Sequence, residues 1–149
     1  MTGYAIDIPG DPIPKARPRV YHGHGITPKR TLDAEKRVRD AFRARYPDST
    51  PNDGPVEISA VFYMPKRGRL DLDNLLKLVM DALNGLAYRD DAQVVRFHAA
   101  KIMPDQRVRG FRPGTMRNRR AGDPLTHHGE PYTPHTLISI NQPLEGEQR

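Results

Sequence analysis

The sequence predicts a single α+β domain in which one mixed sheet is packed by two main helices, in the order β-α-β-α-β-β. Three observations predict this class. Four segments are rich in β-branched residues or alternate in polarity, as strands do. Two longer segments repeat apolar residues at helical spacing. A length of 149 residues suits one domain with one core.

The first half of the chain predicts one strand, one extended segment and one helix. Residues 3–8 alternate as a strand, and four prolines in residues 9–20 hold the next segment extended. Residues 21–31 are predicted as a loop. A sparse apolar stripe in residues 32–46 predicts a helix, with Thr31 as its N-cap.

The second half predicts a strand, the core helix and two more strands. Residues 56–64 are apolar on both sides, which is typical of a central strand. Residues 74–86 carry leucines and a valine at helical spacing, and an Asn-Gly pair ends that helix. Residues 92–102 and 135–142 are predicted as the last two strands.

Residues 104–134 separate these last two strands and are rich in Gly, Pro and Arg. A polar segment of this length without apolar periodicity is typical of a surface loop. We therefore expect a basic, mobile insertion between the last two strands of the domain.

Composition excludes several classes of protein. The chain has no cysteine, so it can form neither a disulfide framework nor a thiolate zinc site. No apolar run reaches the length of a membrane span. The N-terminus lacks the basic start and apolar core of a signal peptide. We expect a cytoplasmic protein with no membrane association.

The positive charge is concentrated in two blocks. The whole chain has a net charge of +6, whereas residues 13–45 carry +7, residues 101–120 carry +6 and the remainder is negative. Two basic blocks around an acidic centre indicate a polyanionic partner such as nucleic acid. The alternative is a soluble surface that happens to be basic.

Lys15, Arg17 and Arg19 occupy alternate positions of the extended proline segment. Alternate residues of an extended backbone point to the same side, so the three cations can follow a phosphate backbone. Arg69 belongs to a basic turn that leads directly into the most acidic stretch of the chain. An ordinary surface loop is the competing interpretation of the proline segment.

That acidic stretch, residues 71–91, contains five aspartates and one lysine that apolar periodicity does not explain. Asp71 and Asp73 lie at the start of the predicted helix, and Lys77 shares a helix face with Asp73 at i and i+4. Asp90 and Asp91 follow the helix, and on a strand only one of them can face the same site. Asp81 is left out of the predicted site because it can pair with Lys77.

Carboxylate oxygens are hard ligands that suit Mg²⁺ or Mn²⁺. With Asp71 and Asp73 as ligands, such an ion would polarise a phosphoryl oxygen, and Lys77 would place a positive charge on the phosphate under attack or orient the water. The competing interpretation makes Asp73 a helix N-cap and Asp71 a neighbour that complements the helix dipole.

Several motifs together resemble the RusA family of Holliday-junction resolvases. They are DLDNLLK at 71–77, DALNG at 81–85, DDAQV at 90–94, PIPKARPRV at 12–20, ITPKRT at 26–31, and Lys101 after the strand. The resemblance covers residues 4–103. The 104–134 insertion is much longer than the hairpin usual in that family.

The resemblance implies a single RusA-like domain over residues 1–149, assembled as a homodimer that binds four-way DNA junctions. It implies symmetric nicking of two opposing strands with Mg²⁺ or Mn²⁺. The metal ligands of the family fall on Asp71, Asp73 and Asp91, and its catalytic lysine falls on Lys77. The matching basic segments add Lys29, Arg30 and Lys101 to the DNA-binding candidates.

The sequence therefore predicts a Mg²⁺-dependent crossover junction endodeoxyribonuclease of DNA recombination and repair. Two alternatives stay open. The chain is a non-catalytic protein that binds branched DNA, or it is a less selective flap or branch nuclease or a ribonuclease with the same metal site.

Overall fold

The computed structural model describes residues 3–17 and 19–143, without the side chains of Arg19 and Tyr21. In chain order the elements are β1 (Tyr4–Pro9), β2 (Arg19–Tyr21), β3 (His24–Ile26), α1 (Lys29–Arg45), β4 (Val56–Tyr63), α2 (Leu72–Leu83), a 3-10 turn (Asp91–Gln93), β5 (Val94–Ile102), β6 (Arg107–Arg109), β7 (Met116–Asn118), β8 (Thr126–His127), β9 (Glu130–Pro131) and β10 (His135–Asn141).

The main sheet has four strands in the order β1-β10-β4-β5. Strand β10 is antiparallel to β1 and β4, whereas β4 and β5 are parallel and joined by α2 as a crossover. This mixed sheet with two helices confirms the predicted α+β class. Within the described ranges, no helix is both long and apolar enough to cross a membrane.

The hydrophobic core lies between one face of the sheet and the two helices. Strand β4 alternates buried and half-buried residues, so its core face points at the helices. Phe42 of α1 packs edge-on against Tyr4 of β1, with ring centroids 5.0 Å apart. The buried residues of α2 are Leu75, Leu76, Leu78, Val79, Ala82 and Leu83.

Several element boundaries differ from the sequence prediction. Helix α1 starts at Lys29, so Thr31 lies buried inside its first turn and is not its N-cap; Pro28 holds that position. Helix α2 starts at Leu72, two residues early. The β2–β3 hairpin spans the end of the predicted extended segment and the start of the predicted loop, and the positive φ of Gly23 lets the chain reverse there.

The insertion between β5 and β10 contains two small hairpins, β6–β7 and β8–β9. Carboxylates organise them. Asp105 accepts hydrogen bonds from Thr126 Oγ1 at 2.8 Å and from the backbone N–H groups of His128 and Gly129, both at 3.0 Å. These bonds, led by that of Gly129, lower the pKa of Asp105.

Lys15 anchors the proline segment to both helices. Its backbone N–H donates to the Asn74 carbonyl oxygen at 2.8 Å. Its ammonium contacts Glu35 of α1 and lies 3.1 Å from Asp81 of α2. Burial alone would lower the pKa of Lys15, but the hydrogen bonds and charges of the two carboxylates raise it. The predicted DNA contact is therefore held inside the fold by an ion-pair network.

Replacing Lys15 by Met should lower the free energy of unfolding by about 2 kcal/mol, because buried Glu35 would lose its nearer cation and keep only Arg39, at 3.7 Å. This expected loss is smaller than the loss for a fully buried ion pair, because the Lys15 side chain is 20% exposed. Urea denaturation measures the change. The control is Lys36→Met, which breaks an exposed pair with Asp40 and should cost less than about 1 kcal/mol. Equal losses would contradict the anchoring role.

Candidate active site

Helix α2 places acidic and basic side chains on the face opposite the core. Asp73 and Lys77 are exposed there, and Asp81 follows one turn later, half-buried. Asp71 occupies the N-cap position without a side-chain capping hydrogen bond, and Asp73 lies inside the first turn. The competing interpretation, in which Asp73 caps the helix, is therefore wrong.

Local hydrogen bonds orient the two carboxylates at the start of α2. Asp73 Oδ1 accepts from the backbone N–H of Asn74 at 2.9 Å. The Asn74 side-chain amide donates to Asp71 Oδ2 at a long 3.5 Å. Both aspartates remain exposed to solvent, so they keep oxygen atoms available for a ligand.

Asp90 is committed to the local fold. Its Oδ2 accepts from the backbone N–H of Ala92 at 3.2 Å, and its own N–H donates to Gln93 Oε1 at 2.9 Å. The Gln93 amide in turn donates to the carbonyl oxygens of Asn52 and Gly54. This capping box holds the 3-10 turn and leaves Asp91 as the member of the pair that is free to serve a site.

Asp91 is half-buried, and its Oδ1 is a buried atom without a hydrogen-bond partner in the described part of the chain. The buried Tyr88 hydroxyl nearby donates to the Met80 carbonyl oxygen at 2.6 Å. Burial raises the pKa of the Asp91 carboxyl, and the charges of Asp81 and Asp90 raise it further, while the charge of Lys77 and the nearby Tyr88 hydroxyl oppose them.

The structure brings together only part of the predicted site. Asp91 lies in the electrostatic field of Lys77 and Asp81, whereas Asp71 and Asp73 lie at the first turn of α2. Among the described residues, no three His, Cys, Asp or Glu are gathered closely enough to hold a metal ion. Asp91 lies beside Lys77 and Asp81, which are one and two turns further along α2 than Asp73, and this offset explains the separation.

Asp81 is the residue that sequence reasoning left out. It contacts Lys15 at 3.1 Å, not the expected Lys77, and its charge acts on Asp91. Its spacing of four residues from Lys77 could have indicated that Asp81 lies on the same face as the candidate site, since residues four apart share a helix face.

Basic side chains border the start of α2. Lys101 donates to the Leu70 carbonyl oxygen at 2.6 Å, directly before Asp71. Arg30, Lys66 and Lys101 line one cleft together with Leu70. This part of the surface is therefore positive next to exposed carboxylates.

The other cationic candidates are spread more widely. Arg17 and Arg69 are exposed. Lys29 is exposed too, and pairs with Asp33 at 3.1 Å across one helical turn. The Arg19 side chain lies outside the described residues.

The available ligand atoms fit a hard divalent cation. They are carboxylate oxygens, and one of them, Asp91 Oδ1, is buried without the hydrogen bond that such an atom normally has. Mg²⁺ needs only one or two protein carboxylates and keeps several waters. Three converging aspartates are thus not required before the ion arrives.

Residues 9–109 match the family model described as endodeoxyribonuclease RusA, which is more than half of the chain. The chain belongs to the RusA family. The resemblance seen in its sequence motifs is confirmed.

Curated relatives carry the corresponding name. The chain is 47% identical over 108 residues to crossover junction endodeoxyribonuclease RusA of Shigella sonnei, covering 68% of this chain and 85% of that protein. It is also 47% identical over 49 residues to the proteins of that name from Escherichia coli K12 and Enterobacteria phage 82. These shorter matches cover 32% of this chain and 41% of those proteins.

Replacing Asp91 by Asn should raise the melting temperature in EDTA by about 3 °C, because it removes a negative charge that burial and the neighbouring carboxylates disfavour, at a cost of about 1 kcal/mol. A raised pKa means that the fold disfavours the charged form. The gain is therefore full above the raised pKa, and it disappears as the pH falls to the ordinary value of 3.8. Melting curves across pH test this, with the exposed Asp48→Asn as control. A gain independent of pH would contradict it.

Proposed function

We propose that this protein is a structure-specific endodeoxyribonuclease that resolves Holliday junctions by metal-dependent hydrolysis of opposing phosphodiester bonds. The observation that carries the proposal is the charge arrangement around α2. Exposed carboxylates, Lys77 and the buried unpartnered oxygen of Asp91 lie beside basic segments, in a chain of the RusA family. The names of its relatives support DNA crossovers as the substrate.

Asp71, Asp73 and Asp91 would hold Mg²⁺ or Mn²⁺ in this proposal. When bound, the ion supplies Lewis-acid chemistry to phosphodiester hydrolysis. Lys77 is exposed, and the Asp91 carboxyl lies within its field. The Lys77 ammonium can therefore stabilise the negative charge that develops on the phosphoryl oxygens. Asp90 keeps its capping role and takes no part in the reaction.

DNA binding is assigned to the basic segments on either side of α2. Arg17, Arg19, Lys29, Arg30, Arg69 and Lys101 are the proposed phosphate contacts. The insertion adds arginines of its own, and we assign them to one junction arm. Contacts to phosphates release counterions, so affinity should fall steeply with salt and should depend on junction shape more than on base sequence.

A homodimer completes the proposal. Two opposing strands must be cut, and a two-fold axis provides two equivalent sites for two symmetry-related phosphates. Each protomer would hold one scissile phosphate.

The separation of the carboxylates favours one second candidate. Because the described residues contain no three-carboxylate cluster, a non-catalytic protein that binds branched DNA would use the same basic segments without hydrolysis. The two candidates differ in a single property, which is metal-dependent strand cleavage.

Asp73→Asn should lower the rate of nicking of a synthetic four-way junction by about 100-fold while junction affinity is kept, because the change removes a ligand charge and leaves the basic segments intact. Nicking is measured with Mg²⁺ omitted and restored, and affinity is measured in EDTA. The control is Asp48→Asn, which removes an exposed carboxylate far along the chain from α2.

Nicking by Asp73→Asn at the wild-type rate would contradict the metal assignment. Wild-type protein that binds the junction but never nicks it would select the non-catalytic candidate. Linear duplex, flap and RNA substrates, assayed beside the junction, determine whether the nuclease is less selective than proposed.

A further inference from the structure

The tip of the β6–β7 hairpin exposes an aromatic ring completely. Phe111 has a relative exposure of 103%, whereas the next most exposed large apolar side chain in the described part, Val20, has 78%. Leaving a ring of this size in water forgoes the stabilisation that burial would give. An isolated exposed ring at the end of a projecting hairpin is therefore placed where a ligand can cover it.

The tip is tightly built. The Gly110 N–H donates to the Thr115 carbonyl oxygen at 2.8 Å, and the Thr115 N–H donates to the Arg112 carbonyl oxygen at 3.1 Å. A Cβ atom on Gly110 would lie 2.4 Å from Thr115 Oγ1 and 3.3 Å from the Thr115 carbonyl oxygen, so a larger residue there would force Thr115 to shift. These bonds fix the turn and hold Phe111 away from the domain, which lowers the entropy lost when the ring binds.

The base of the same hairpin is braced. Arg117 of β7 makes two hydrogen bonds to the Asp123 carboxylate, at 2.7 and 3.0 Å. Arg117 is also the main reason that the pKa of Asp123 lies well below its ordinary value. The Arg119 N–H donates to the Gln106 carbonyl oxygen at 2.8 Å, next to the first strand of the hairpin. These bonds hold the base of the hairpin that carries the Phe111 ring.

Two arginines flank the ring without being used by the fold. Arg109 and Arg112 are exposed, and within the described ranges their side chains make no hydrogen bond or ion pair. Residues 106–122 contain six arginines and no acidic residue. A solvent-exposed ring between free guanidinium groups suits a nucleobase with its phosphates, because bases stack on aromatic rings while cations hold the backbone.

This feature is additional to what the family match covers. That match ends at residue 109, so Phe111 and the rest of the tip lie beyond it.

We propose that Phe111 stacks on a DNA base exposed at the branch point, while Arg109 and Arg112 contact the adjacent phosphates. The inference rests on the proposed function for the choice of a branched substrate. A linear duplex keeps its bases stacked inside the helix and offers the ring no such face. The insertion then distinguishes branched or single-stranded DNA from duplex, in addition to adding positive charge.

The chain contains no tryptophan, so Phe111→Trp introduces a single fluorescent reporter at the tip. In EDTA, its emission should be quenched by a four-way junction and by a single-stranded oligonucleotide, and not by a linear duplex of equal length. The matched reporter is Leu137→Trp, which places tryptophan at an exposed position of β10 outside both basic blocks. It should respond to none of the three DNAs.

Phe111→Ala should weaken junction binding about tenfold and leave duplex binding unchanged, because one stacked base is lost. Arg112→Ala should weaken binding to both DNAs and reduce the salt dependence. Circular dichroism confirms that each variant is folded. Quenching by duplex equal to that by junction, unchanged emission of the Phe111→Trp variant with junction, or wild-type junction affinity in Phe111→Ala would each overturn the proposal.

The two proposals fail separately. If the Phe111→Trp variant nicks the junction but its emission does not respond to DNA, the stacking role alone is overturned. Quenching without nicking in Mg²⁺ would uphold stacking and overturn the proposed nuclease.

Discussion

The burial of one face of α2 against the parallel β4–β5 pair determines where every candidate site residue lies. Six apolar residues of that helix are buried, and burial of such side chains is the main favourable term in folding. Their spacing leaves Asp73, Lys77 and Asp81 on the outer face. The same helix carries the chain from the end of β4 back towards the start of β5, and Asp91 lies just before that start. Core packing and site geometry therefore cannot vary independently.

The surrounding elements pair with some of the charged groups on and near this outer face. Lys15 comes from the proline segment to hold Asp81 and Glu35, so the segment that precedes α1 also fixes α2. Asp90 is engaged as a local cap, but Asp91 retains a buried oxygen without a partner among the described residues. Such an oxygen is a cost to the fold in the absence of a ligand, and sites of this kind are where proteins exchange stability for function.

Much of the architecture was predictable because it follows from periodicity. Alternation in β4 and the leucine spacing of α2 identified the two elements that contain the core. The structure of the insertion was not predictable, because it depends on carboxylates such as Asp105 binding backbone N–H groups more than twenty residues away. The ion pairs of Lys15 were not predictable for a similar reason: its alternation with Arg17 described an extended backbone but could not show that Glu35 and Asp81 lie beside it. Asp91 was identified through family resemblance, while its distance from Asp73 depends on a crossover that spacing alone leaves open.

The central claim is that carboxylates from both ends of this crossover serve one divalent ion. A crystal structure with Mn²⁺ and junction DNA, with the ion located by its anomalous scattering, tests it most directly. The account predicts an ion within about 2.5 Å of an Asp91 oxygen and of an oxygen from Asp71 or Asp73. An ion bound at the start of α2 with Asp91 still unliganded, or no bound ion at all, would contradict it.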